Sequence, residues 1–282
     1  MRPLIRLNLN PQIRETVPAL GLLLNTFGPY CAFSEEPIFD VAVPWNRASG
    51  QALPASIPPG DSWEAILLTS PATFTAWQRH RDRNLADLMM PDVDLTFRLL
   101  DSPFTYDLET VKVTYLNDIG EPDGESETRP LAIVRGATDR ARATIDLFAL
   151  NSDYFAADKR ELTIPRSTYL SREDPRIFLR TDTWARAAQA ADWIAEVNPN
   201  ARPMLLDQVR AIVGGTGFWS VWATVLWRRF QDRDLVSRVL MEPRETAEKF
   251  ATMKATSGKT PPESPGPGPH NVFPGTRPDW MF

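Results

Sequence analysis

Apolar residues recur at helical spacing through 12–27, where Val17, Leu20, Leu23, Leu24 and Phe27 lead into the turn residues Gly28 and Pro29; a short helix is predicted there. Residues 30–60 are rich in Pro, Ser, Ala and Gly and read as loop, with one apolar run, 38–43, able to form a strand of a hairpin. Between 61 and 87 the helical pattern returns. Asp61 or Ser62 can cap, Trp63, Ile66 and Leu67 follow, and Pro71 breaks the run before Phe74 and Trp77, so two helical pieces are predicted. Residues 95–101 and 108–116 alternate, with Phe97, Leu99, Val111, Val113 and Tyr115 on one parity. They read as strands of a small antiparallel sheet around the turn Asp101-Ser102-Pro103.

Beyond the sheet, residues 117–130 (NDIGEPDGESETRP) read as an acidic surface loop, followed by a helix over about 137–150. Trp184, Ala188, Ala191 and Ile194 mark a helix over 181–196, and 203–213 and 216–241 read as two more, separated by Gly214, Gly215 and Gly217. Trp219, Trp222 and Trp227 occupy more than one face of the last helix; core is the first assignment and a partner surface the second. The uncharged stretch 211–227 falls short of the roughly 20 apolar residues a membrane span needs and carries glycines, so it reads as a buried helix. Residues 257–271 hold too much Pro, Gly and Ser to build a core. The pattern as a whole predicts an α+β fold. A single domain covers 1–242, with a hairpin, helix and short antiparallel sheet in about 20–116 and a mostly helical part in about 137–242. A flexible insertion at 243–271 and an apolar tail, 272–282, docking back on the body complete the chain.

Composition changes this picture little: 43% hydrophobic and 24% charged residues are ordinary for a globular chain. The net charge of −5 argues against a broad phosphate-binding face, so nucleic acid is not favoured as a partner. Cys31 is the only cysteine, which excludes an internal disulfide and any multi-cysteine zinc site built by this chain alone. No signal-peptide core is visible near the N-terminus, and a cytoplasmic location is expected.

Several segments, in order, resemble landmarks of the bacterial HNH (ββα-metal) endonucleases that carry two CxxC zinc pairs. Gly28 to Glu35 (GPYCAFSE) resembles that family's G-x-Y-C-x-x-C-E, Phe39 to Pro44 its V-E-H-x-x-P, and Ser62 to Leu68 its W-x-N-L-L-L. Downstream, Pro91 to Phe97 is similar to P-D-x-D-N-T-F, Ala143 to Asn151 to T-I-D-L-L-G-L-N, and Phe273 to Thr276 to F-x-G-T. The resemblance implies a degenerate ββα-metal-like hairpin and helix core.

Carried over residue by residue, the same resemblance removes the chemistry. The general-base histidine falls on Val41, which cannot accept a proton. Asp40 stands where the preceding Glu would be and is a weak catalytic candidate, although a hairpin-end Asp more simply bonds nearby backbone. Three zinc thiols become Ser34, Ser70 and Thr73, and a usual Asn becomes Phe74. Hydroxyls are poor zinc ligands, so no metal and no cofactor are expected. A hydrophobic cluster of Phe33, Phe39, Trp45, Phe74 and Trp77 is expected to hold these segments instead.

A replacement site could begin at Arg79-His80-Arg81-Asp82-Arg83-Asn84. His80 with Asp82 forms a candidate base, and Arg79, Arg81, Arg83 and Asn84 form a candidate anion grip. A solvated charged helix face is the plainer reading. His270 falls in the Pro/Gly-rich segment, and Asp146 is expected to pair with Arg135, Arg140 or Arg142. The functional expectation is a catalytically inactive HNH-like scaffold, regulatory or recognition subunit. Its partner would be a protein, such as an operon neighbour in a bacterial antiphage-defence or mobile-element system. The alternative is an enzyme with a relocated active site, built on His80, Asp82 and Asp40 and acting on a nucleotide or other small molecule. A residual metal-dependent nuclease comes last.

Overall fold

A computed structural model describes residues 1, 2, 4, 20, 21, 23, 24, 27–38, 42–52, 65–80, 82–95, 101–171 and 176–240. The expectations for 12–19, 53–64, 96–100 and 241–282, including the flexible insertion and the docking tail, lie outside the described residues.

The architecture is α+β, with two sheets and a mostly helical C-terminal half. The first sheet has strand order β2-β1-β3, from β1 (Val43–Asn46), β2 (Gln51–Ala52) and β3 (Ile66–Thr69), all antiparallel. Ile66 and Leu67, expected in a helix, lie in β3. The run Ile-Leu-Leu-Thr is buried at every position, so it has no polar alternation to announce a strand. Helix α1 (Pro71–Gln78) follows at once, which makes the local order hairpin, then helix. Pro71 does not interrupt this helix. It starts it, where a missing N–H costs no hydrogen bond, and the Ser70 hydroxyl caps it by accepting from Thr73 N at 3.2 Å.

The second sheet has order β5-β4-β7-β6, built from β4 (Phe104–Leu116), β5 (Pro122–Gly136), β6 (Phe155–Ala156) and β7 (Glu161–Pro165), with β7 parallel to β4. Here the predicted acidic loop is corrected. Only 117–121 turns, and 122–130 is the outer half of β5, paired with β4 in continuous register from Pro130↔Thr110 to Ser126↔Thr114 and, after a register shift, at Pro122↔Leu116. Its side chains are nearly all exposed, so neither face carries an apolar signal. Cross-strand and neighbouring polar contacts hold it instead, including Tyr115 Oη to Glu127 at 2.6 Å and Arg166 to Asp123 at 2.8 Å. The inner half of β5, Leu131 to Val134, is buried, and Leu131 and Ile133 share a core with Val111, Val113, Leu162, Ile164 and Ile177.

Helices α2 (Asp139–Leu147), α3 (Arg166–Ser171), α4 (Arg176–Glu196), α5 (Arg202–Thr216), α6 (Trp219–Phe230) and α7 (Arg233–Leu240) complete the order. The run 216–241, expected as one helix, is two. Gln231 takes a left-handed conformation (φ 49°) that ends α6, and Asp232 accepts from Leu235 N at 3.1 Å to start α7. Trp219 and Trp222 are fully buried and Trp227 half-buried, as the core reading expects. Among the described residues no helix is long and apolar enough to cross a membrane.

Helix α2 ends in a second left-handed residue, Ala149 (φ 47°), after which Leu150 N bonds back to Ile145 O at 2.8 Å. The Cβ of alanine is crowded in this conformation. Ala149→Gly is therefore expected to stabilise the fold by about 0.5–1 kcal/mol, the relief of strain exceeding the added chain entropy. A urea melt showing no gain would contradict it. Two residues on, the Asn151 side chain pairs with Val134 in both directions, N and O each at 2.9 Å, and accepts from buried Arg180 at 2.9 Å. Arg176, also buried, donates to Phe148 O at 2.8 Å. These contacts fasten the 148–151 segment between β5 and α4.

Candidate functional site

A densely connected polar group is buried where the turn after Tyr30 meets the start of α1. An isolated bridge, Tyr30↔Pro37, pinches the turn; Cys31 N bonds Glu36 O at 3.0 Å and Glu35 N bonds Cys31 O at 3.0 Å. Ala32 N reaches Leu68 O at 2.7 Å, which lays the turn against β3 and brings it to Ser70. As a result Cys31 and Ser34 from the turn converge on Ser70 and Thr73 from the helix. The Cys31 thiol lies 3.5 Å from Thr73 Oγ1, Ser34 Oγ 3.5 Å from the same atom, and Ser70 Oγ 3.0 Å from it. All four residues are at most 5% exposed.

The group that organises them is Glu36, which the sequence reading did not single out. Its Oε1 accepts from the Ser70 hydroxyl and stands 3.4 Å from Thr73 Oγ1. A carboxylate this deep is tolerated only when hydrogen bonds replace its water, and the two hydroxyls do so. A metal does not fit the set. It offers one thiol, one carboxylate and three hydroxyls, the hydroxyls being poor ligands, and no group of three or more metal-binding His, Cys, Asp or Glu side chains occurs among the described residues.

Beside the polar group stands an aromatic one. Phe33 stacks on Phe148 with ring centres 3.9 Å apart and meets the edge of Trp45 at 5.4 Å, while Trp77 packs on Trp45 at 5.8 Å and on Phe148 at 5.6 Å. Phe33, Trp45 and Trp77 were expected here. Phe148 was not, because it lies far downstream of all three in the chain and only the tertiary fold brings it in. Phe74 is half-buried at the edge of this core, and Phe39 lies outside the described residues. Trp77 also donates to Gly50 O at 2.6 Å; Gly50 has φ 69°, and a Cβ there would stand 2.8 Å from the Trp77 ring.

Of the weak catalytic candidates, Asp40 lies outside the described residues, as do Val41 and Arg81. His80, Asp82, Arg79, Arg83 and Asn84 are exposed at the end of α1. Arg79 pairs with Asp153 at 2.7 Å, and Asn84 caps a short 3-10 turn (Leu85–Asp87) by accepting from Ala86 N at 3.0 Å. Asp82 does not line the pocket that His80 borders. This pocket is open, with a volume of about 410 Å³, and its lining includes Asp146.

Asp146 is not the arginine partner expected of it. Arg135 binds Glu109 through two bonds of 2.8 and 2.6 Å, Arg140 binds Asp94 at 3.0 and 3.1 Å, and Arg142 binds Asp139 at 2.5 Å. Partial desolvation raises the Asp146 carboxyl above the ordinary carboxylate value, and His80 draws it part of the way back. Periodicity could not have identified this pair, because nothing in the spacing of 80 and 146 relates them.

A search of family models, curated proteins and solved structures finds no match to this chain.

Proposed function

We propose that this protein is a catalytically inactive relative of HNH endonucleases that works by binding, as a scaffold, regulatory or recognition subunit for a protein partner. The observation that carries the reading is the convergence of Cys31, Ser34, Ser70 and Thr73. Those are the four positions that the family resemblance assigns to zinc thiols, drawn from two segments nearly forty residues apart. Two further observations support it. The strand pair β1 and β3 is followed directly by α1, the element order of a hairpin and helix nuclease core. Ala149, matched to a glycine in the family's T-I-D-L-L-G-L-N, holds the left-handed conformation that glycine favours.

The loss of chemistry follows from the residue types. Val41 cannot deprotonate water, and three hydroxyls with one thiol do not hold zinc. In this reading the hydroxyl and carboxylate cluster, with the aromatic group beside it, takes over the structural work of the metal. Incubation of the full-length chain with double- and single-stranded DNA in magnesium or manganese is expected to yield no cleavage product. Co-expression with the products of adjacent genes is expected to yield a stable complex on size exclusion. Metal-dependent cleavage, lost on chelation, would overturn the inactive assignment; a monomer that captures none of those products would overturn the binding role.

A further inference from the structure

We infer that the pocket between the end of α1 and α2 is a binding site for a small bipolar molecule, one carrying both an anionic group and an amine or similar donor. The site lies apart from the cluster around Glu36. Its volume of about 410 Å³ falls in the range of pockets for small ligands. One wall is apolar, with Val134, Ile145 and the half-buried ring of Phe155.

Its polar groups divide by charge. Of the two acidic lining residues, Asp153 is paired with Arg79, whereas the Asp146 side chain has no hydrogen bond or ion pair to any described residue beyond its electrostatic coupling to His80, so its carboxyl remains available to an incoming donor. The basic lining residues are Arg135, Arg142 and His80. Glu109 takes Nε and Nη2 of Arg135, leaving Nη1. Arg142 is oriented by Asp139 and by the carbonyls of Gly136 and Ala137 at 3.2 and 3.3 Å, leaving Nε. The pairing with Glu109 and Asp139 holds both guanidinium groups in place at the pocket wall without consuming every donor, as suits orientation of a ligand anion.

A purely anionic ligand would meet Asp146, and a purely cationic one would meet the arginines. A molecule with both functions satisfies both at once. Backbone geometry adds an independent sign. Ser152, in the same wall, sits at φ 129°, a conformation L residues rarely adopt, and such residues gather at ligand sites. Amino acids and nucleoside monophosphates both have the required chemistry.

Ligand-observed NMR on the full chain distinguishes these sources, with L-glutamine, adenosine 5′-monophosphate and cytidine 5′-monophosphate as probes. Inorganic phosphate and n-butylamine serve as single-function controls. At least one bipolar probe is expected to bind, at least tenfold more tightly than either control. Asp146→Asn, on an exposed side chain, is expected to weaken it tenfold or more without lowering the melting temperature, and Ala157→Trp, which fills the pocket, to abolish it. The inference fails if no bipolar probe binds, if a control binds as well, or if neither substitution changes the affinity.

Discussion

Trp45→Ala is expected to cost about 3–5 kcal/mol, a large share of the stability of an ordinary domain. Trp45 is fully buried at the centre of the aromatic group, within 5.8 Å of the rings of Phe33, Trp77 and Phe148. Its removal leaves a cavity between the turn at Cys31, strand β1, helix α1 and the end of α2. Trp45→Phe separates packing from polarity. The indole N–H is buried with no hydrogen-bond partner among the described residues, so the smaller ring removes an unsatisfied donor while keeping much of the contact. Chemical denaturation is expected to rank the variants with phenylalanine less than half as costly as alanine. Equal costs would mean that the aromatic group does not depend on ring contact at this position.

Glu35→Ala is expected to be as damaging, at about 3–5 kcal/mol, because it strands several buried partners at once. The Glu35 carboxylate accepts from Ser220 N at 2.7 Å and Ser220 Oγ at 2.5 Å, and the Met1 amine stands 3.0 Å from Oε1. The backbone joins the same contact, with Phe218 N donating to Glu35 O at 2.9 Å. The carboxylate lies at the N-terminal end of α6, where helix dipole and free N–H groups favour a negative charge. Glu35 thus couples the N-terminal turn to the helical half. Hydrogen exchange in Glu35→Ala is expected to rise in both segments together. Loss confined to the turn would show that they are not coupled through this residue.

What could be read from the sequence follows the strength of each local signal. Helices α4 and α5 were legible because several turns of apolar spacing outweigh any single residue. Strand β3 was not, since a short apolar run buried on every side is the same in helix and strand until its neighbours are known. The outer half of β5 was hidden for the opposite reason: both faces are exposed, and its partner β4, rather than its own pattern, makes it a strand.

In the candidate site, Cys31, Ser34, Ser70 and Thr73 could be named because the motifs that the sequence resembles index them by position. Glu36 follows the motif's own glutamate and was passed over, although a second consecutive carboxylate beside a turn of buried residues was a usable signal. The place of Phe148 in the aromatic group and the approach of His80 and Asp146 to one pocket depend on the fold bringing together residues roughly seventy to a hundred apart in the chain. No local pattern encodes such contacts.

Zinc stoichiometry, measured by elemental analysis on the wild type and on a Ser34→Cys, Ser70→Cys, Thr73→Cys variant refolded with zinc, bears most directly on the central claim. With Cys31 the variant places four thiols at the converged positions. The reading of this cluster as a metal knuckle converted to hydrogen bonds predicts no stoichiometric zinc in the wild type. It predicts one zinc per chain in the variant, with a higher melting temperature that chelation reverses. Stoichiometric zinc in the wild type, or a folded variant that binds none, would contradict it.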